Sequence, residues 1–187
     1  MRFAAVTRRG LLFGLFFPAG LGLALRLGFE RDLATQLLLL GTLLLSIEQA
    51  RAADWDLVQI EQVASEQADE RLLRFRRVTQ LTIGLELMGF YSAIVWPGWG
   101  AMGVLVAQMI FNGLAQIALC PDAVVKIIPW GLKDRLPVLI ADGVGVALTV
   151  LWSLGKGRLV SASALLGLVL VYLAVKYLSV LGQPVRQ

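Results

Sequence analysis

Residues 99–119 read WGAMGVLVAQMIFNGLAQIAL, twenty-one positions without a charge. A helix of about 20 predominantly apolar residues crosses the hydrocarbon core of a bilayer, and this run has that length. Five further stretches approach it: 10–25, 33–47, 79–96, 136–154 and 159 to about 181. The first two are short, so Arg26 and Glu48 at their ends must snorkel toward the interface. The pattern predicts an all-α, polytopic integral membrane bundle of about six transmembrane helices. It divides into an N-terminal two-helix hairpin (1–47), a cytoplasmic amphipathic helical segment (48–78) and a four-helix bundle (79–187).

Composition agrees with the spans. Hydrophobic residues make up 58% of the 187 and charged residues 16%, so the chain is neither disordered nor an ordinary soluble domain. Mean hydropathy is +0.76. A single cysteine, Cys120, excludes a disulfide scaffold. With no histidine, His general bases, His-paired nucleophiles and His-ligated metals or haem are excluded.

Charge sets the orientation. Six spans place both termini on one side, which collects thirteen of the 17 Lys and Arg and leaves Arg26, Arg31, Lys156 and Arg158 opposite. The positive-inside rule then puts both termini in the cytoplasm. The membrane is expected to be a bacterial cytoplasmic one, a thylakoid or organellar membrane being the alternative. The pI of 9.6 follows from this bias, so no nucleic-acid partner is expected. Trp96, Trp99, Trp130 and Trp152 fall at predicted interfaces, as aromatic belts do, whereas Trp55 lies in the cytoplasmic loop. Arg8-Arg9 before an apolar run resembles an export signal, but no A-x-A cleavage site follows, so the pair is expected to anchor the first helix.

Between spans two and three, no Gly or Pro occurs from Gly41 to Gly84. Ala53, Leu57, Ile60, Ala64 and Leu72 recur at steps near one turn, predicting that the second helix continues into the cytoplasm. Ser65-Glu66 is the expected cap of the next helix. The apolar face of this segment is too weak for a domain of its own and is expected to lie on the membrane or on a partner. The basic run Arg71, Arg74, Arg76 and Arg77 is a candidate contact for anionic headgroups or a partner subunit. Residues 120–135 are expected to begin with a stop at Pro121-Asp122 and continue as a short interfacial helix.

An ionisable group inside a span is expensive and marks a functional candidate. Glu86 lies about eight residues into span three and Asp142 about seven into span five. Small and hydroxyl residues share their stripes, so both are expected to face neighbouring helices. Span four carries Gln108, Asn112 and Gln116 at successive steps of four, and span six carries Tyr172 and Lys176. The expected contacts are Glu86 with Asn112 or Gln116, and Asp142 with Lys176 or Tyr172. A weak duplication relates Glu86-x2-Gly89-x6-Trp96 to Asp142-x2-Gly145-x6-Trp152.

No phosphate loop, dinucleotide fingerprint or metal-ligand spacing occurs, so neither cofactor nor metal is expected, and no enzymatic activity. The leading expectation is a non-catalytic accessory or assembly factor of a larger membrane complex, bound to a membrane-protein partner or to a second copy. The alternative is a small transporter or channel that uses Glu86 and Asp142 for proton or ion movement. A weaker third is a lipid, quinone or pigment site built on the amide side chains.

Overall fold

A computed structural model describes residues 2–66, 69–120 and 126–181. Among them are six helices and one hairpin: α1 (Arg2–Phe29), α2 (Leu33–Glu66), α3 (Glu70–Val95), α4 (Pro97–Leu114), β1 (Ile117–Cys120), β2 (Lys126–Pro129), α5 (Leu132–Ser153) and α6 (Arg158–Leu181). The fold is all-α in class. Helices α2, α3, α5 and α6 are long and apolar enough to cross a membrane. Leu136, Ile140, Leu151, Val171 and Val175 on α5 and α6 are exposed. Such surface is unfavourable in water, and the fold is compatible with an integral membrane protein.

The helices pack around α2, which touches α1, α3 and α6, while α3 pairs with α4, α4 with α5, and α5 with α6. The main core joins Phe16, Ala19 and Leu23 of α1 to Leu38 and Leu39 of α2, Phe90 of α3 and Val104 of α4. The Phe16 and Phe90 rings meet with centroids 6.0 Å apart at 59°, a favoured tilted geometry. Helices α3 and α4 approach so closely at Gly89 and Gly100 that a Cβ on Gly100 would lie 2.1 Å from the Ala93 nitrogen. Small residues allow that contact where no hydrophobic force drives helices together in lipid. At the opposite edge Gly155 and Gly157 take φ of 75° and 58°, which lets the chain turn tightly from α5 into α6. Arg158 then binds Asp32 at 2.9 Å and Thr35 at 3.0 Å, and lies over the Trp152 ring. The Thr35 hydroxyl holds the Asp32 carboxyl below the usual carboxylate range.

Four expectations need correction. The charge-free run at 99–119 is not one helix: α4 ends at Leu114, Ala115 is extended, and the chain turns into β1. Asn112-Gly113 weakens the last turn, and the polar Gln108 and Asn112 leave α4 outside the four span-like helices. The interfacial helix expected over 120–135 is an antiparallel hairpin instead, with Ile117 opposite Pro129 and Leu119 opposite Ile127. Its β-branched Ile117, Ile127 and Ile128 favour a pleated surface; the Pro121-Asp122 stop lies outside the described residues. The α3 cap is Asp69, whose carboxylate accepts from the Arg71 nitrogen at 2.7 Å, not Ser65-Glu66. Continuation of α2 past the span is as expected, but it leans on this chain itself. Ile60 and Val63 bury with Leu72, Phe75, Val78, Ala115 and Ile117 in a second, smaller core.

Candidate functional site

The site is built at the end of the bundle that carries the hairpin. Gly131 opens α5, its nitrogen donating to the Asp134 carboxylate at 2.9 Å. That start drives Arg135, in the first turn, into the interior at 7% exposure. Its Nη1 donates to Asn112 Oδ1 at 3.1 Å and its Nη2 to the Ile117 carbonyl at 2.9 Å, with the guanidinium over the Phe111 ring. Asn112 Nδ2 in turn donates to Asp142 Oδ2 at 3.3 Å. Arg135 and Asp142 are two turns apart on one face of α5, and the last turn of α4 inserts Asn112 between them. Asn112 therefore relays between a cation and an acid.

Glu86 is buried on α3 at 3% exposure. The charges that act on it are those of two more carboxylates, Asp56 of α2 and Asp142 of α5. Asp56, half-buried, also feels Arg135 and Lys176. It links the cluster to a second one. There Glu48, 2% exposed, accepts from Lys176, from Arg51 at 3.3 Å and from the Tyr177 hydroxyl at 2.9 Å. Lys176 Nζ also reaches the Tyr172 oxygen at 3.2 Å. The interior thus holds Glu48, Asp56, Glu86 and Asp142 against two cations, Arg135 and Lys176, while Arg51 is largely exposed.

Four buried polar atoms lack a hydrogen-bond partner among the described residues near this acidic cluster: Gln59 Nε2, Thr82 Oγ1, Gln108 Nε2 and Arg135 Nε. Gln59 lies one turn from Asp56, Thr82 one turn from Glu86, and Gln108 one turn from Asn112. Buried polar groups are nearly always paired, so these four are groups that the packing of the described residues leaves unanswered. Among the described residues no group of three or more Asp, Glu, Cys or His converges as metal ligands would.

Sequence reasoning found the acids but mispaired them. Asn112 binds Asp142 instead of Glu86, because the last turn of α4 faces α5. Lys176 binds Glu48 instead of Asp142, because α6 packs on α2 along this face. Gln116 lies past the helix end and is exposed. With Arg71 and Arg74 it lines a cleft of about 220 Å³ that includes Glu70 but not Glu48, Asp56, Glu86 or Asp142. Arg77 is exposed and Arg76 half-buried. Glu48, expected to snorkel to the interface, is instead buried because Lys176, Arg51 and Tyr177 meet its charge inside; Asp56, Arg135 and Gln59 were not anticipated in the site. No protein-family model matches the chain, and neither a curated protein nor a solved structure matches it.

Proposed function

We propose that this chain is a small, non-catalytic membrane transporter or channel that passes protons through its interior carboxylates. The observation that carries the reading is the burial of Glu86 within electrostatic reach of Asp56 and Asp142, acids of two other helices, with unpartnered polar atoms a turn away. Glu86 makes no ion pair among the described residues, and an uncompensated charge in low dielectric costs several kcal/mol, on the order of 5. A mobile proton is the least bulky remedy, and among the described residues no metal-like convergence of ligands competes with it. Asp142 has the look of a structural acid, since it rests on the Asn112 amide. Glu86 has the opposite character, for its charged neighbours are acids. Exposed Arg51 and Tyr177 mark one mouth of the route at Glu48. Thr149, buried two turns beyond Asp142 with its hydroxyl donating to the Val146 carbonyl, continues the stripe of that acid along α5.

The test is flux. Purified chain in liposomes holding a pH-sensitive dye should dissipate an imposed proton gradient, in sodium and potassium salts alike. Glu86→Gln should lower the rate to that of protein-free vesicles. Undiminished flux in Glu86→Gln would sink the proposal.

A second reading, the accessory or assembly factor, keeps one favourable observation: the exposed apolar sides of α5 and α6 offer a partner or second copy a place to pack as readily as lipid. Its other motive is weaker, since the α2 extension finds its cover within the chain. Mild solubilisation from native membranes decides it. Migration as a larger stoichiometric complex would favour this reading, and migration as a single chain would remove it.

A further inference from the structure

The cleft at the foot of α3 and α4 lies apart from the acids and is not used by the proton reading. Arg71, Arg74 and Gln116 stand around a floor of Phe75, Leu114 and Ile117. Its volume of about 220 Å³ is small for an organic ligand, since drug-sized pockets run about 300–1,000 Å³. It suits a single tetrahedral anion with a short stem. Arg71 is engaged by Asp69 at 2.8 Å, which fixes its guanidinium at the rim. Arg74 is exposed and makes no ion pair among the described residues. Glu70 also borders the cleft. From Asp69 to Arg77 four arginines stand against two acids, so the local net charge is +2.

The surface above the cleft is apolar. On α4, Val106, Ile110 and Leu114 fall at steps of four, with Val106 and Leu114 exposed. On α3, Leu81 and Met88 follow Arg74 at steps of seven and are 53% and 68% exposed. A basic, hydrogen-bonding foot with a greasy track rising from it matches one class of molecule. We propose that this cleft seats the phosphate of an anionic phospholipid, with an acyl chain laid along Leu114, Ile110 and Val106. Arg74 supplies the unshared charge, Arg71 a second donor and the Gln116 amide a neutral one. Charge complementarity and the continuous apolar stripe select a lipid over free phosphate, which has no use for the stripe.

The test is the thermal transition of the full chain in detergent, titrated separately with phosphatidylglycerol, phosphatidylcholine and inorganic phosphate. Phosphatidylglycerol should raise the transition temperature, less so at high salt, and the other two should leave it unmoved. In Arg71→Ala/Arg74→Ala the apparent affinity for phosphatidylglycerol should fall about 25-fold, the worth of two interfacial arginines. Both side chains are on the surface. If the double variant nonetheless loses its own transition, Arg74→Gln alone should weaken affinity about fivefold. An equal shift from phosphatidylcholine, a shift reproduced by inorganic phosphate, or full response in the variants overturns the assignment. No response to phosphatidylglycerol also overturns it and leaves the basic run to a protein partner.

Discussion

Glu48 accepts from Arg51, Lys176 and Tyr177 and is nearly inaccessible, so its charge is matched by groups from two helices. Lys176→Met removes the partner that reaches it from α6, and breaking a buried pair costs about 3–5 kcal/mol. Because Arg51 stays, a loss of about 3 kcal/mol is expected in detergent unfolding. Adding Glu48→Gln should recover more than half of that loss; no recovery would mean the pair contributes nothing specific. Glu86 gives the contrary expectation, since its charged neighbours repel it. Glu86→Met should leave stability unchanged or raise it by about 1 kcal/mol, while flux is lost. A loss above about 2 kcal/mol would make Glu86 a structural acid. Acids inside apolar runs were legible in the sequence because burial makes them anomalous. Their pairings were not, because spacing sets the face of one helix and says nothing of how that face turns toward the next. Asp56 was passed over as a cytoplasmic charge. The signal was present, for Asp56 stands three residues after Ala53 and four before Ile60, on the stripe that buries.

Among elements, the contrast between α4 and the hairpin shows where hydropathy fails. Residues 99–119 are uniformly free of charge, yet the helix yields to an extended strand after Asn112-Gly113-Leu114. Hydropathy reports solvent preference, and both a span and a buried strand satisfy it. Helices α2 and α3 were readable in kind from periodicity, but their long junction with the hairpin depends on tertiary contacts in the smaller core. Packing of α3 on α4 yields a sharper prediction. At Gly100 an added methyl would strike the backbone of Ala93, so Gly100→Ala should destabilise by about 2–3 kcal/mol through forced separation of the helices. At Gly84, in the middle of α3, nothing lies within 4 Å of the same methyl. Gly84→Ala should therefore stabilise by about 0.5–1 kcal/mol through helix propensity alone. Thermal unfolding of the two variants side by side reads both. Equal effects would deny that the glycine contact holds α3 to α4.

For the whole molecule, the all-α class was legible from the apolar helical runs, and 58% hydrophobic residues with 16% charge made it compatible with a membrane protein. How many helices cross is a harder matter, and α4 decides it. Its 18 residues rise about 27 Å, just short of the roughly 30 Å hydrocarbon core. Crossing is nevertheless expected, because α4 must carry the chain from the Trp96 end of α3 to the Arg135 end of α5, and these helices are packed alongside it. Six crossings would gather the thirteen cations on one side, which the positive-inside rule predicts to be the cytoplasmic one. Three cysteines in a Cys120→Ser background test count and orientation together: Ser65→Cys in the last turn of α2, Lys133→Cys at the start of α5 and Lys156→Cys in the α5–α6 turn, all exposed positions. A membrane-impermeant maleimide on intact cells should label Lys156→Cys alone, and the other two only after permeabilisation. Labelling of Lys133→Cys with Lys156→Cys from outside would show that α4 does not cross and α5 does not either. Outside labelling of Ser65→Cys and Lys133→Cys without Lys156→Cys would invert the molecule and place its acidic interior nearer the outer face.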